Sequence, residues 1–215
     1  MKKRYAVLLA VPATLALSTG AAFAVSAGNF HASLQPVPHS ESKDGGSDVH
    51  GQASMRLTGR TLAIDLSATG LTPNEPHAMH IHGDTQARNE CPGIGVDMNT
   101  GDPVDPASYI EGVKDGLISL GEGATEYGPI DVSLTATGDT SPNSGLTLGR
   151  FLKADSNGTI AYHRRVVVPK DVAKNLANLH IVIHGTDLNG DGSSVDSLFQ
   201  ATLPVACGEI VNTKR

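Results

Sequence analysis

The stretch "ASMRLTGRTLAIDLSA" (residues 53–68) sets two alternating runs on either side of Gly59-Arg60. Leu62, Ile64 and Leu66 alternate with Ala63, Asp65 and Ser67, which predicts a strand with one buried face. Gly59 stands where a two-residue hairpin turn needs a positive φ, so the two runs are predicted to pair. Upstream, "FHASLQPVP" (30–38) places Phe30, Ala32 and Leu34 on one face and predicts a first strand, with "ESKDGGSD" (41–48) as a loop. Downstream, "HAMHIHG" (77–83), "PIDVSLTA" (129–136), "LTLGRFLK" (146–153), "GTIAYHRRVVVP" (158–169), "LHIVIHG" (179–185) and "FQATLPVACGEI" (199–210) are further strand signals. "PKDVAKNLAN" (169–178) is the single helix signal, with Pro169 near its start and Val172, Leu176 and Leu179 as a short apolar stripe. Two segments lack regular signals, Asp84 to Tyr127 and "DLNGDGSSVDS" (187–197); connections of the first length are functional or disordered. The expected fold is all-β, an antiparallel sandwich or Greek-key barrel with two long loops and one short helix.

The chain opens on "MKKRYAVLLAVPATLALSTGAAFA" (1–24), a basic n-region, an apolar run and an Ala22-Phe23-Ala24 cleavage pattern. A secretory signal is expected; an uncleaved anchor is the alternative, weakened by Pro12, Thr14, Ser18 and Thr19. The sequence therefore divides into a signal (1–24), a polar segment (25–50) and a β-domain (51–215), and the product is expected to be secreted, with no membrane partner after cleavage. Losing Lys2, Lys3 and Arg4 moves the net charge from −6 to −9, which speaks against nucleic acid as a partner. Trp is absent and Gly is abundant, as suits a β-rich domain with long loops. Cys91 and Cys207 are the two cysteines; in an oxidising compartment they are expected to pair, with two buried free thiols as the alternative.

His80 and His82 stand two apart in a predicted strand and share a face, while Met79 and Ile81 point into the core. In "LHIVIHG", His180, Val182 and His184 share a face, but His180 and His184 lie about 13 Å apart along a strand, too far to bind one ion. One of them can join His80 and His82; His184, beside Gly185 and the acidic loop, is the better candidate, with His180 and His77 left out. Three imidazoles on neighbouring strands suit copper or zinc, and hydrogen-bonded core histidines are the plainer reading.

"HAMHIHG" with Cys91 nine residues after His82, "IVIHG", and the closing "LPVACGEI" resemble the copper/zinc superoxide dismutase superfamily over most of the chain after the signal. The resemblance implies copper ligands His80, His82 and His184, a Cys91–Cys207 disulfide, and superoxide or another small oxidant as substrate. "FHASLQPVP", the hairpin, "ATGL" and "HIHG" also resemble chordin-type (CHRD) domains, which implies a non-catalytic extracellular binding or structural module instead. The departures are specific. Between His82 and Tyr162 there is no histidine, so the zinc subsite and the bridging histidine are missing and zinc is not expected. Pro204 stands where the family has a substrate-guiding arginine, so slow or absent dismutation is expected, unless Arg150, Lys153, Arg164 or Arg165 supplies a cationic funnel.

Asp187, Asn189 and Asp191 occupy positions 1, 3 and 5 of a calcium-like loop with Gly192 at 6, but Leu198 holds position 12; calcium and a solvated acidic turn both fit. "DMNTGDPVD" (97–105) is a weaker relative of that loop. His31, His39 and His50 read as scattered residues of a polar arm, with copper recruitment as the alternative. His163 reads as a strand-surface residue rather than a fourth ligand. No Gly-x-Ser-x-Gly, catalytic free cysteine or phosphate-binding glycine loop is present. Oligomeric state is not legible.

Overall fold

Period-two patterning becomes strand wherever one face can be buried. In the computed structural model, which describes residues 27–39, 47–84, 87–93 and 117–213, β1 (Gly28–Pro36) buries Phe30, Ala32 and Leu34 as its alternation predicts. β2 (His50–Thr58) and β3 (Thr61–Thr69) form the hairpin, closing at Thr58–Thr61 with Gly59 at φ +58°. β4 (Met79–His82), β5 (Ile130–Ser133), β6 (Ile160–Val167), β7 (His180–His184) and β8 (Pro204–Glu209) complete the order β5-β4-β7-β8-β1-β2-β3-β6, with short β9 (Val211–Asn212) paired to β1. Every pairing is antiparallel, and the sheet curls into a half-barrel. The first strand, though it lies in the polar 25–50 segment, sits between β2 and β8 and belongs to the sheet.

One apolar cluster fills the curl. Leu62, Ile64, Leu66, Ile160 and Val166 from one half meet Met79, Ile81, Ile181 and Ile183 from the other. Ile81 and Ile181 are completely buried, and truncating either to Ala would cost roughly 2–5 kcal/mol. The two edge strands are not joined by a ladder of main-chain bonds. Instead Arg164 of β6 donates to Thr135 O (2.7 Å), Thr135 Oγ1 (2.7 Å) and Gly138 O (2.6 Å), just past β5. A planar cation with several donors thus bridges the seam.

The outer face of β4, β7 and β8 is covered as well, so those strands are buried on both sides. A second cluster of Val37, Ile118, Tyr127, Val182 and Cys207, with Cys91 against it, forms that cover. Much of it is α1 (Leu120–Tyr127), which corrects the expectation that Asp84 to Tyr127 is irregular throughout. Ser119 and Glu122 form its capping box, each side chain satisfying the other's backbone N–H. The disulfide Cys91–Cys207, with Cα atoms 5.6 Å apart, ties this cover to β8 as expected.

Two further expectations are corrected. "LTLGRFLK" contains no strand; Leu148–Arg150 is a 3-10 turn, and Leu146 points to solvent. The first half of "FQATLPVACGEI" is helical, α3 (Leu198–Thr202), capped by Ser197 accepting from Gln200 N. With α2 (Lys170–Asn175), the expected helix, the described residues hold three short helices rather than one. The expected signal (1–24) and "DMNTGDPVD" (97–105) lie outside the described residues. Among the described residues no helix is long and apolar enough to cross a membrane.

Candidate metal centre

The antiparallel register puts the histidines together. His80 faces Val182 and His82 faces His180, and cross-strand partners share a face, so His80, His82, His180 and His184 all point away from the main core. Register shifts occur between Ile81 and His82 against β5 and between Ile183 and His184 against β8. Such bulges re-aim the side chains beside them. As a result the ring centroids of His80, His82 and His184 lie 5.1–5.6 Å apart, and one ring nitrogen from each falls within 4.8 Å of the others. Among the described residues this is the one gathering of three or more His, Cys, Asp or Glu able to hold an ion.

Backbone carbonyls fix which nitrogen each ring presents. His82 Nδ1 lies 2.8 Å from Gly128 O and His184 Nδ1 lies 2.8 Å from Thr202 O. A carbonyl only accepts, so both Nδ1 atoms carry hydrogen and both Nε2 atoms present bare lone pairs. Those two Nε2 atoms face each other across 3.5 Å. Between neutral rings that contact is not a hydrogen bond, because neither atom has a proton to give. His80 is arranged the other way round: its Nε2 donates to Gly145 O at 3.0 Å, leaving Nδ1 buried with no partner. The cluster thus offers two Nε2 lone pairs 3.5 Å apart and an unpartnered Nδ1 on the third ring. A 3.5 Å separation between nitrogens each about 2.0–2.1 Å from an ion corresponds to an angle near 120°. Ring N–H groups anchored on carbonyls are the usual outer support of metal-binding histidines. The residues fit an ion, and they fit it better than they fit one another.

Two of the carbonyls belong to glycines and the third to Thr202 at the end of α3. Gly128 ends α1 at φ +83°, and a Cβ there would lie 2.8 Å from Gly83 C. Gly145 follows a 3-10 turn (Pro142–Ser144) in a loop organised by Asp139, which accepts from Ser141 N, Ser141 Oγ and Ser144 Oγ. Those donors pull the Asp139 carboxyl down to about 2. Phe151 packs edge-on to His80 at 5.5 Å and Tyr127 edge-on to His82 at 4.7 Å, walling the cluster.

The site is closed: His80, His82 and His184 are each no more than 2% exposed. Burial, first, and then the neighbouring rings hold His80 well below the usual imidazole range. Burial pushes His82 down to about 3 and His184 to about 4. Neutral imidazole is the form that binds metal, so burial prepares all three as ligands.

The remaining candidates fall elsewhere. His77 sits beside the cluster with its two ring nitrogens each 3.1 Å from a carbonyl, Nδ1 from His184 O and Nε2 from Thr72 O; the neutral ring donates to one of them at a time and stays outside the cluster. His180 is buried on the outer side of His82, away from His184. Asp187 accepts from Gly190 N and Gly192 N, while Asn189 and Asp191 bond each other and their neighbours, so the calcium-like loop closes on itself as an exposed acidic turn. His163 pairs with Asp65 on the outer sheet surface. His31 and His50 are in strands β1 and β2. His39, expected in a polar arm, instead accepts from Ile118 N (2.9 Å) and donates to Pro204 O (2.9 Å), pinning the start of the cover to β8. Nothing but its position marks that role in the sequence. Of the expected cationic funnel, Arg164 is committed to the seam and Arg150 donates to Ser144 Oγ.

No family model matches this chain, and no curated protein matches it.

Proposed function

We propose that the protein is exported and holds one copper ion on His80, His82 and His184, in the manner of a superoxide-dismutase-like domain that has lost its zinc half. The observation that carries this is the convergence of three bare imidazole nitrogens, each fixed by a carbonyl on the other side of its ring. An all-nitrogen set suits copper or zinc over calcium or magnesium, and copper heads the divalent affinity order. The Cys91–Cys207 disulfide and the leader-like first 24 residues support an oxidising destination.

Copper there would supply one-electron exchange with superoxide or another small oxidant. The chain's own contribution is largely restrictive. Phe151, Tyr127 and the α1 cover exclude water from the three rings. Gly128, Gly145 and Thr202 hold the ring protons away from the ion position. No histidine beyond the three is placed to bridge to a second metal among the described residues, and Pro204 offers no positive charge. The closed, cation-poor surroundings favour tight holding with slow turnover. This also leaves room for the non-catalytic, chordin-type reading, in which the ion braces a binding module. Copper titration of the purified protein tests the proposal: one equivalent should bind tightly, and His82→Ala/His184→Ala should abolish that binding. Equal binding by the double variant would end it.

A further inference from the structure

His180 is the second unusual histidine of the outer face. It is 2% exposed, yet neither ring nitrogen has a hydrogen-bond partner; the backbone of Asn89 lies close without meeting bonding geometry. A buried polar group left unpaired is destabilising, so such a group calls for an explanation. The register supplies a context. His82, His180 and Glu209 form one row across β4, β7 and β8, each facing the next. Glu209 is exposed, and Glu90, also exposed, lies in the described segment Ala87–Gly93 near enough to act on the ring through its charge. The row thus runs from a member of the closed cluster, through an imidazole with neither nitrogen hydrogen-bonded, to the carboxylate of Glu209 in solvent. Paired strand positions have Cβ atoms about 4.5–5.5 Å apart, so His82 and His180 are side-chain neighbours on this face.

We propose that His180, with Glu90 and Glu209, is an entry station through which a metal cation reaches the His80/His82/His184 cluster. This rests on the metal-binding reading above and adds a route to it. The carboxylates attract a hydrated cation, His180 takes it as the segment Ala87–Gly93 lifts, and His82 accepts it from His180 by ligand exchange. No redox change or proton transfer is required. Keeping His180 free of hydrogen bonds leaves its lone pair ready at each passage. The segment above is held by main-chain bonds from Arg88 to Thr125 and Glu90 to Glu126, the Arg88–Glu126 ion pair and the disulfide at Cys91, so it can lift only locally.

The test is stopped-flow loading of the chelator-treated protein with copper(II), alongside the equilibrium affinity and stoichiometry. His180→Phe keeps an aromatic ring and removes both nitrogens. It should load about tenfold or more slowly, with one equivalent bound at unchanged affinity and no loss of thermal stability. Glu90→Gln/Glu209→Gln, at two exposed positions, should also slow loading and flatten its dependence on salt. A wild-type loading rate in His180→Phe would overturn the entry station while leaving the cluster intact. Loss of stoichiometry in His180→Phe would also overturn it, by making His180 a resident ligand. No uptake by the wild-type protein would remove the metal-binding reading and this one together.

Discussion

The Nε2 atoms of His82 and His184 face each other at 3.5 Å, each on a ring whose other nitrogen is bound to a backbone carbonyl. Two lone pairs so placed in a dry interior repel, and a cation between them turns that repulsion into coordination. The metal-free protein is therefore expected to be less stable than the loaded one. At a free ion concentration 100 times the Kd the gain is about 2.7 kcal/mol. Thermal unfolding with copper and with chelator measures it, and equal midpoints would contradict the expectation.

Acidity should act in a definite direction on the chelator-treated protein. Unfolded imidazoles titrate near 6.5. In the fold burial depresses His82 to about 3 and His184 to about 4, with His80 and His77 shifted the same way. Depressed groups give stability that is present above about pH 6.5 and is lost as pH falls toward the folded values. Each contributes up to about 1.4 kcal/mol per pH unit within that window. Urea midpoints should therefore fall between pH 7.5 and pH 5. A midpoint that holds or rises would be inconsistent with neutral buried imidazoles.

Gly128→Ala forces a side chain into a left-handed turn against Gly83 and displaces the carbonyl that orients His82. The expected result is a loss of about 1–3 kcal/mol in stability and a 10–100-fold loss in metal affinity. If affinity stays at the wild-type value in a folded Gly128→Ala protein, the carbonyl does not orient the ligand.

Much of this architecture is legible in the sequence. The hairpin at 53–68 and the shared face of His80 and His82 follow from a period of two, and the choice of His184 over His180 follows from its place beside Gly185 and the acidic loop. What is missed has a physical reason. The helix at Leu120–Tyr127 has little apolar periodicity because Gly121 and Gly123 interrupt it; its one clear signal is the Ser119/Glu122 capping box. "LFQAT" looks like strand because it adjoins the apolar β8, yet Ser197 caps it as a helix. The carbonyls of Gly128, Gly145 and Thr202 leave no side-chain trace, so the tautomers they impose are visible only in the fold.

Removing the disulfide should be costly. Cys91 and Cys207 lie 116 residues apart, for which loop-closure entropy alone gives about 5 kcal/mol. Cys91→Ala/Cys207→Ala should lower the denaturant midpoint accordingly and speed copper loss to a chelator, because the α1 cover is no longer tied to β8. Unchanged copper release would mean that the cover does not seal the site.

Superoxide decay with the copper-loaded protein should be slow and nearly independent of ionic strength. Pro204 supplies no guiding charge, and Arg150 and Arg164 are engaged in the loop and the seam. A near-diffusion-limited rate that falls steeply with salt would reveal a cationic funnel and contradict this.

The most direct test of the central claim is a crystal structure of the copper-loaded protein with an anomalous difference map at the copper edge. The expected result is one peak about 2 Å from His80 Nδ1, His82 Nε2 and His184 Nε2, with the carbonyl bonds of Gly145, Gly128 and Thr202 retained. A peak elsewhere, or one contacting fewer than these three nitrogens, would contradict it.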